Sequence, residues 1–282
     1  MELWFTEKHT PGAGITLKCS KTLYSSKTPF QQIDILETEE FGRMLLLDGL
    51  VMTTERDEFI YHEMLVHPPM HFHTKAENIL VIGGGDGGAV RELLRYPFVK
   101  KIILCEIDQK VVEAAKRFFP SLANCLEDEK VEVVYQDGSA LLKGHRGDFD
   151  LILVDSTDPI GAAKTLFTRK FYKSCKDALR NQGLICAQSE SPIYHLETIN
   201  SMIGHVREAG FGCSRLYTAP IPTYPGGFWS WLMAGQEKLN LDVKDRTVLP
   251  EHEYEKLSYF NLDILQAAFC LPNFLKRAIK QS

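Results

Sequence analysis

Acidic side chains follow four apolar runs of the sequence, each at the point where a predicted strand ends. The runs are ILVI (79–82), IILC (102–105), VEVVY (131–135) and LILV (151–154). The acidic residues that follow them are Asp86, Glu106, Asp137 and the pair Asp155 and Asp158. In open α/β sheets, ligands bind at the carboxyl ends of the strands. Carboxylates at this edge therefore predict a site for a ligand that carries hydroxyls and positive charge.

The glycine turn GGGDGG (83–88) follows the first of these strands and lets a ligand approach the backbone closely, beginning at Gly83. Glu106 lies 20 residues after Asp86, the spacing at which an acidic residue meets the diol of a ribose. Asp86 places a negative charge where a dinucleotide carries its pyrophosphate, and the two would repel. The turn therefore predicts an adenosine ligand that carries an amine in place of a phosphate.

The other two strand ends allow a functional and a structural interpretation. Asp137 can accept a hydrogen bond from the exocyclic amine of adenine while Gly138 lets the base approach, but a ligand-free Asp-Gly turn explains the pair equally well. Asp155 and Asp158 lie three residues apart and could simply cap the structure that follows. Because Asp155 directly ends an apolar strand, we expect its side chain to point into the cleft.

The elements that must position these residues are strands alternating with amphipathic helices from about residue 54 onward. A fifth strand is predicted at LICA (184–187), and helices at GAVRELLRY (88–96), DQKVVEAAKRFF (108–119), TRKFYKSCKDAL (168–179) and YHLETINSMIGHVREAG (194–210). Short apolar runs joined by helical crossovers are typical of parallel strands. The predicted fold class is therefore α/β, with a doubly wound sheet.

The first 53 residues have a different pattern. Short strand-like stretches are broken by prolines and glycines: ITLKC (15–19), QQIDILET (31–38) and RMLLLDG (43–49). We predict a small antiparallel β domain over residues 1–53 and an α/β domain over residues 54–282. Without a long linker between them, the two are expected to pack directly on each other.

Composition limits the class of protein. The chain has 282 residues, 44% of them hydrophobic, and a formal net charge of −5 without a Lys/Arg cluster. This balance argues against nucleic acid and anionic membranes as partners and leaves small neutral or cationic ligands. The seven cysteines are odd in number and lack a CxxC pair, which predicts buried thiols in a reducing compartment. With no leader-like N-terminus and no run of 18 apolar residues, we expect a cytoplasmic protein.

Four histidines lie close together in the sequence and could suggest a metal site: His62, His67, His71 and His73. Pro68 and Pro69 directly follow His67 and are expected to break the helix there. No cysteine or carboxylate completes a ligand set at metal-binding spacing. No metal is therefore predicted.

Ten further motifs accompany the glycine turn in one order along nearly the whole chain. They are WF (4–5), FQQIDIL (30–36), LLLDG (45–49), TERDEFIYHEM (54–64), CEID (105–108), QDG (136–138), DSTDP (155–159), AQSESP (187–192), PTYPGG (222–227) and AAFCLPNF (267–274). Each alone is weak, but the collinear set is specific. It resembles the polyamine aminopropyltransferases, and among them the spermidine synthases.

The resemblance implies a Rossmann-like domain of the class I methyltransferase type, preceded by a small antiparallel β domain. Such chains commonly assemble as homodimers or homotetramers. The implied activity is transfer of the aminopropyl group of decarboxylated S-adenosylmethionine to putrescine, which gives spermidine and 5′-methylthioadenosine. The decarboxylated donor is a co-substrate, and no cofactor is implied.

The resemblance also implies a donor site. In it, Gln31 and Glu106 hold the ribose, and Asp137 lies at the adenine. The aminopropyl amine is held by Asp86 with the help of His62. The remaining donor contacts are Leu47, Gly83, Ile107 and Gly138.

A channel for the diamine is implied beside the donor site. Its implied lining is Tyr61, His62, Asp86, Asp155, Asp158 and Tyr224, with Trp4 on the apolar wall and Gln188 and Glu190 near the far amine. The loop around 157–168 is the implied lid. Leu265 departs from the family, because many members carry a histidine there, so the local packing is expected to differ.

The implied reaction needs a neutral amine. A primary ammonium with a pKa near 10 is neutral for only about one part in a thousand at pH 7, and carboxylates that bind it raise its pKa further. We therefore expect Asp158 and Glu190 to hold charge. Asp155, near Tyr61, would accept the proton as nitrogen attacks carbon in line. Asp86 would repel the carboxylate of ordinary S-adenosylmethionine and so select the decarboxylated donor.

Other interpretations stay open at this point. An S-adenosylmethionine-dependent methyltransferase shares the sheet, the glycine turn and the ribose acid, although Asp86 and the DSTD pair suit cationic substrates better. An aminopropyltransferase could act on another amine, such as agmatine or cadaverine. A non-catalytic binding protein could use the same fold, but the presence of Asp155 and Tyr61 argues against it.

Overall fold

Two sheets form the framework of the computed structural model, which describes residues 2–158, 161–237, 239 and 248–279. The first sheet is antiparallel, and its five strands lie in chain order. They are β1 (Leu3–Thr10), β2 (Ala13–Lys27), β3 (Gln32–Thr38), β4 (Arg43–Leu47) and β5 (Leu50–Thr54). The predicted antiparallel β unit is thus present, with two strands, β1 and β5, that were not predicted. The division of the chain at residues 53 and 54 stays a prediction.

The second sheet has seven strands in the order β11-β12-β10-β9-β6-β7-β8. They are β6 (Asn78–Gly83), β7 (Lys101–Glu106), β8 (Val131–Tyr135), β9 (Phe149–Asp155), β10 (Leu179–Gln188), β11 (Cys213–Ala219) and β12 (Trp229–Gly235). The five strands from β10 to β8 are parallel, as predicted. β12 and β11 extend the sheet antiparallel at one edge, which the sequence pattern did not indicate.

Helices cover both faces of the second sheet. They are α1 (Glu58–Phe72), α2 (Gly88–Leu93), α3 (Gln109–Phe118), α4 (Pro120–Ala123), α5 (Gly138–Leu142), α6 (Arg169–Ala178), α7 (Leu196–Glu208), α8 (Glu251–Tyr254), α9 (Leu262–Ala268) and α10 (Asn273–Ala278). Short 3₁₀ helices span Asn124–Glu127, Gly161–Phe167 and Pro225–Gly227. One core joins the sheet to α1, α2 and α9, and a second joins its other face to α5, α6, α7 and α10. The sheet is therefore doubly wound, as predicted.

The helix α1 runs through Pro68 and Pro69 to Phe72, so the prediction that these prolines break it was wrong. A proline lacks the N–H that would bond to the carbonyl four residues earlier. For Pro68 that carbonyl belongs to Met64, and the hydroxyl of Tyr217 donates to it at 2.7 Å. A side chain of β11 thus satisfies a helix carbonyl that proline leaves unpaired.

The first sheet packs against α3 and α4 through one of its faces. Side chains alternate along a strand, so Leu45 and Leu47 of β4 face these helices while Met44 and Leu46 face away. The guanidinium of Arg43 also donates to the carbonyl of Phe118 at 2.6 Å. The first sheet therefore packs directly on the α/β part of the chain, as expected.

Three sequence expectations outside the site can be compared with the structure. Leu265 is fully buried within the core that contains α1. Five of the seven cysteines are buried, whereas Cys125 is half-buried and Cys270 is exposed, so the expectation of buried thiols was wrong for these two. None of the helices in the described ranges is long and apolar enough to cross a membrane.

Candidate active site

A cavity of about 290 Å³ lies at the carboxyl ends of the parallel strands. All five strand-end carboxylates line it: Asp86, Glu106, Asp137, Asp155 and Asp158. Other predicted site residues at its wall are Gln31, Leu47, Tyr61, His62, Gly83, Ile107, Gly138 and Tyr224. Both sheets contribute, because Leu47 ends β4 and Gln31 lies in the loop between β2 and β3 of the first sheet. The cavity therefore lies where the two sheets meet.

Glu106, which was predicted to hold a ribose, is buried at the end of β7, and its Oε1 accepts from the backbone N–H of Asp108 at 3.0 Å. Burial raises the pKa of Glu106 to about 7, although backbone hydrogen bonds oppose the shift. The side chain of Gln31 donates to Asp108 at 3.2 Å, and Thr28 donates to the same oxygen at 2.7 Å. Asp108 thus holds Gln31 beside Glu106, across the contact between the sheets.

At the end of β8, Asp137 has a structural role in addition to its place at the cavity. Its Oδ1 accepts from the backbone N–H of Ala140 at 2.8 Å and so caps α5. Asp137 and Gly138 thus begin a helix rather than form an Asp-Gly turn, and both line the cavity.

Asp155 ends β9 and points into the cavity. Its Oδ1 accepts from the hydroxyl of Tyr61 at 2.6 Å. Its Oδ2 is buried and has no hydrogen-bond partner among the residues that the structure describes. A side chain on Gly84 would come within 2.8 Å of this oxygen, so the glycine turn makes room for it. Asp155 thus presents an unpaired carboxylate oxygen.

The charge state of Asp155 is set by its surroundings. Burial and the nearby charge of Asp86 raise the pKa of Asp155 to about 6, while His62 and the hydrogen bond from Tyr61 oppose the shift. At neutral pH most of this carboxyl is ionised and able to accept a proton.

Asp86 and His62 form a buried ionic pair. The backbone N–H of Gly88 donates to Asp86 Oδ1 at 2.9 Å, and His62 Nε2 lies 3.4 Å from Asp86 Oδ2. Burial alone lowers the pKa of His62, but the Asp86 and Glu58 carboxylates outweigh it and raise the pKa well above its usual value. For Asp86, burial alone would raise the pKa, but the His62 cation outweighs burial and the pKa is lowered below its usual value. The pair is therefore ionised.

The four histidines that were considered as a metal site do not come together, because His67, His71 and His73 belong to no group of possible metal ligands among the described residues. His67 bonds to Tyr96 and Glu92, and His71 bonds to Tyr254. His62 has ligand atoms within 4.8 Å of those of Asp86 and Asp155, but both of its ring nitrogens face carboxylates. An imidazolium has no lone pair for a metal. That the protein needs no metal stays a prediction.

A second cavity of about 30 Å³ adjoins the first at the predicted far end of the diamine channel. Tyr61, Asp158 and Tyr224 line both cavities, and Gln188 lines only the smaller one. Burial, followed by the neighbouring Glu190 carboxyl, raises the pKa of Asp158 to about 7. Glu190 lies next to Asp158 but lines neither cavity in the described part of the chain, so its place near the far amine stays a prediction.

The structure contradicts the predicted place of Trp4. Its side chain lies on the edge strand β1, is 52% exposed, and donates to Glu2 at 3.2 Å. Trp4 lines neither of the two cavities in the described part of the chain. A strand alternates its side chains between faces, and the side chain of β1 that reaches the smaller cavity is Glu7.

Two acidic residues at the site were missed from the sequence. Glu7 is buried, accepts from the backbone N–H of Val51 at 2.6 Å, and has its pKa raised to about 7 by burial. No periodic signal distinguishes it within β1. Glu58 lies four residues before His62 on α1 and contacts it at 2.6 Å. That i, i+4 spacing was a usable signal. In the predicted lid, residues 159 and 160 lie outside the described ranges, and Leu166 lines the cavity.

Comparisons with known protein families cover both sheets. Residues 58–245 match the spermine/spermidine synthase domain, and residues 3–55 match the spermidine synthase tetramerisation domain. The polyamine aminopropyltransferase of Bacillus mycoides is 47% identical over 280 residues, which cover 99% of this chain and 100% of that protein. The polyamine aminopropyltransferase of Bacillus subtilis is 45% identical and covers 99% of each chain.

Two solved structures are similar to this chain over nearly its whole length. A spermidine synthase crystallised with the transition state analogue AdoDATO has a TM-score of 0.91 and 36% identity, and the match covers 98% of this chain and 94% of that one. The spermidine synthase of Thermotoga maritima has a TM-score of 0.89 and the same identity and coverage. The chain therefore belongs to the spermine/spermidine synthase family and is a polyamine aminopropyltransferase.

Proposed function

We propose that the enzyme transfers the aminopropyl group of decarboxylated S-adenosylmethionine to putrescine and so acts as a spermidine synthase. The observation that carries the proposal is the acidic lining of one cavity, which combines a ribose acid with unpaired and paired carboxylates for cationic groups. Both proposed substrates are cations that carry amines. The solved relative that binds AdoDATO supports a donor of this class.

The adenosine of the donor would occupy the part of the cavity formed by Gln31, Glu106 and Asp137. Ionised Glu106 can accept hydrogen bonds from both ribose hydroxyls, since a carboxylate has several acceptor positions. The aminopropyl ammonium would bind Asp86, whose ionised state is maintained by His62. A donor with an additional carboxylate would meet the negative charge of Asp86, so the site favours the decarboxylated form.

Putrescine would extend from the unpaired Oδ2 of Asp155 toward the smaller cavity. Its reacting nitrogen would lie at Asp155, and its far ammonium would lie near Asp158, Gln188 and Glu7, which line the smaller cavity. Glu190 would stabilise charge from behind Asp158. The aromatic rings of Tyr61 and Tyr224, whose centroids lie 5.7 Å apart, would contact the methylene chain.

Asp155 would act as the general base. As the amine nitrogen forms a bond to the aminopropyl carbon, the carbon–sulfur bond breaks and its electron pair stays on sulfur as a neutral thioether. The proton of the amine passes to Asp155 Oδ2, which no other described group occupies. Tyr61 keeps Oδ1 fixed, so the carboxylate is oriented before the reaction.

The test is incubation of the purified enzyme with the decarboxylated donor and a panel of amines, with products identified by mass spectrometry. The panel contains putrescine, cadaverine, agmatine and spermidine. We expect spermidine and methylthioadenosine, with the highest kcat/KM for putrescine. A higher kcat/KM for another amine would refute the acceptor, and S-adenosylhomocysteine formed from S-adenosylmethionine would restore the methyltransferase alternative.

Two further parts of the proposal concern cofactors and assembly. We propose that the enzyme needs no cofactor, so dialysis against a chelator should leave its activity unchanged. We also propose a homodimer or homotetramer, supported by the match of residues 3–55 to a tetramerisation domain. Light scattering coupled to size-exclusion chromatography measures the subunit number, and a monomer at micromolar concentration would contradict this.

A further inference from the structure

Behind Asp86 lies a chain of buried and half-buried charges, and two of its members, Glu58 and Arg91, have no part in the proposed reaction. His62 Nδ1 contacts Glu58 Oε2 at 2.6 Å. The guanidinium of Arg91 binds Glu58 through both carboxylate oxygens, at 2.9 and 3.0 Å. The order Arg91, Glu58, His62, Asp86 alternates in charge and ends at the cavity.

The ring of His62 is also held from one side. It packs so closely on the backbone of Gly88 that a side chain there would come within 2.2 Å of ring atom Cε1. The last glycine of the GGGDGG turn therefore leaves room for the imidazole. The same residue donates its backbone N–H to Asp86. The backbone of Gly88 thus contacts both His62 and Asp86, the two members of the ionic pair.

We propose that Glu58 and Arg91 are positioning residues that keep His62 a cation and direct its Nε2–H toward Asp86. Glu58 accepts at Nδ1, so a proton is always placed on that nitrogen. A neutral His62 would then turn a bare Nε2 lone pair toward the Asp86 carboxylate, and the two would repel. Only the doubly protonated ring can donate to Asp86 and hold it for the donor ammonium.

The charged and titratable groups around His62 come from several elements. They are Glu58 and Tyr61 on α1, Asp86 before α2, Arg91 on α2, Asp155 at the end of β9, and Tyr224 before the 3₁₀ helix Pro225–Gly227. Burial raises the pKa of both tyrosines well above the usual value, so they stay neutral. Glu58 is the one carboxylate in this set that is also bound by a guanidinium in the described structure.

The inference concerns the donor ammonium and therefore rests on the proposed function, but its first test does not depend on activity. The enzyme is labelled with ¹³C at histidine Cε1, and the His62 signal is assigned by its loss in His62→Gln. We expect His62 in Glu58→Gln to lose its proton about one pH unit or more lower than in the unsubstituted enzyme, because a charged partner is replaced by a neutral one.

The second test is the pH dependence of kcat/KM for the decarboxylated donor. In Glu58→Gln we expect an additional fall of about fivefold as the pH rises through the His62 midpoint, which corresponds to the loss of one hydrogen bond. The unsubstituted enzyme lacks this step. A purely structural role would lower kcat/KM equally at every pH and would overturn the proposal.

Two further variants separate positioning from folding. Glu92→Gln is the matched control, because Glu92 also binds Arg91, at 2.7 Å, while its other partners are His67 and Arg95. It should lower thermal stability and leave the His62 titration unchanged. Gly88→Ala, which displaces the ring without removing a charge, should raise KM for the donor more than KM for the diamine.

A His62 midpoint in Glu58→Gln within half a pH unit of the unsubstituted enzyme would overturn the inference, as would a shift of equal size in Glu92→Gln. If Glu58→Gln does not fold, the Gly88→Ala result decides, and equal effects on both KM values would overturn it. Should the unsubstituted enzyme make no spermidine, the proposed function fails, while the titration still decides whether Glu58 holds the His62 cation.

Discussion

Replacement of Asp155 by asparagine tests the proposed base with little change in shape. The Asp155→Asn variant would keep the volume of the side chain and could still accept the hydrogen bond that Tyr61 donates at 2.6 Å. It would lose the basic oxygen Oδ2, which is buried and unpaired among the described residues. General base catalysis is typically worth about 10²- to 10⁴-fold in rate. We therefore expect kcat at saturating putrescine to fall by that factor, or about 3–5 kcal/mol in barrier.

The pH dependence of the same variant gives a sharper test. The pKa of Asp155 is raised to about 6, so the unsubstituted enzyme should lose activity as pH falls through 6, where the base becomes protonated, and change little above 7. The variant must capture the amine that is already neutral in solution, about one part in a thousand at pH 7. Its rate should therefore rise about tenfold per pH unit between pH 7 and 9.

The assay measures spermidine by mass spectrometry from pH 5 to 9.5, and methylthioadenosine binding by calorimetry shows whether the variant still binds the nucleoside. Asp148→Asn is the matched control, because Asp148 is exposed and pairs only with His145 among the described residues, at 2.7 Å. It should keep the unsubstituted pH profile. Near-normal kcat in Asp155→Asn at saturating diamine, with a flat profile above pH 7, would refute Asp155 as the base.

Three other perturbations have defined outcomes. Asp86→Asn should weaken binding of the decarboxylated donor and reduce the preference of the enzyme for that donor over S-adenosylmethionine. Calorimetry measures the Kd of both ligands, and an unchanged ratio of the two Kd values would contradict selection by charge. Binding of methylthioadenosine should strengthen as pH rises through about 7, because Glu106 must lose its proton to accept both ribose hydroxyls; this dependence should vanish in Glu106→Gln. Buried Glu63 accepts from the backbone N–H groups of residues 258–260 at 2.6–2.9 Å, so Glu63→Gln should lower the free energy of unfolding by about 2–4 kcal/mol. Denaturant titration measures that change, and a loss below about 0.5 kcal/mol would show that the segment is held by other contacts.

The strand-end carboxylates were predictable because parallel strands place their carboxyl ends at one edge of the sheet. The sequence pattern was therefore enough to predict one shared cavity for the acidic residues that follow the apolar runs, which are Asp86, Glu106, Asp137 and Asp155. The pair β11 and β12 was not predictable in the same way. Antiparallel strands need no crossover helix between them, so the alternation of strands and helices that revealed the parallel strands is absent there.

Residues whose position depends on distant partners were beyond the sequence pattern. The two prolines of α1 look like a helix end until Tyr217, which lies 153 residues after Met64, supplies the missing donor. Trp4 and Glu7 lie on the same strand, β1. The motif resemblance predicted Trp4 at the diamine channel, but in the structure Glu7 is the buried residue that lines the smaller cavity. A local pattern does not show which face of an edge strand meets another element.

The contact between the two sheets has a thermodynamic consequence. Gln31, in the loop before β3 of the first sheet, and Glu106, at the end of β7 of the second, line one cavity and share Asp108 as a neighbour. A nucleoside that binds both acts as a non-covalent cross-link between the sheets. By mass action, ligand at a hundred times its Kd adds about 2.7 kcal/mol to the stability of the form that binds it. Because that form exists only while the sheets are joined, proteolysis or hydrogen exchange along their contact should report occupancy of the site even in a variant that cannot turn over.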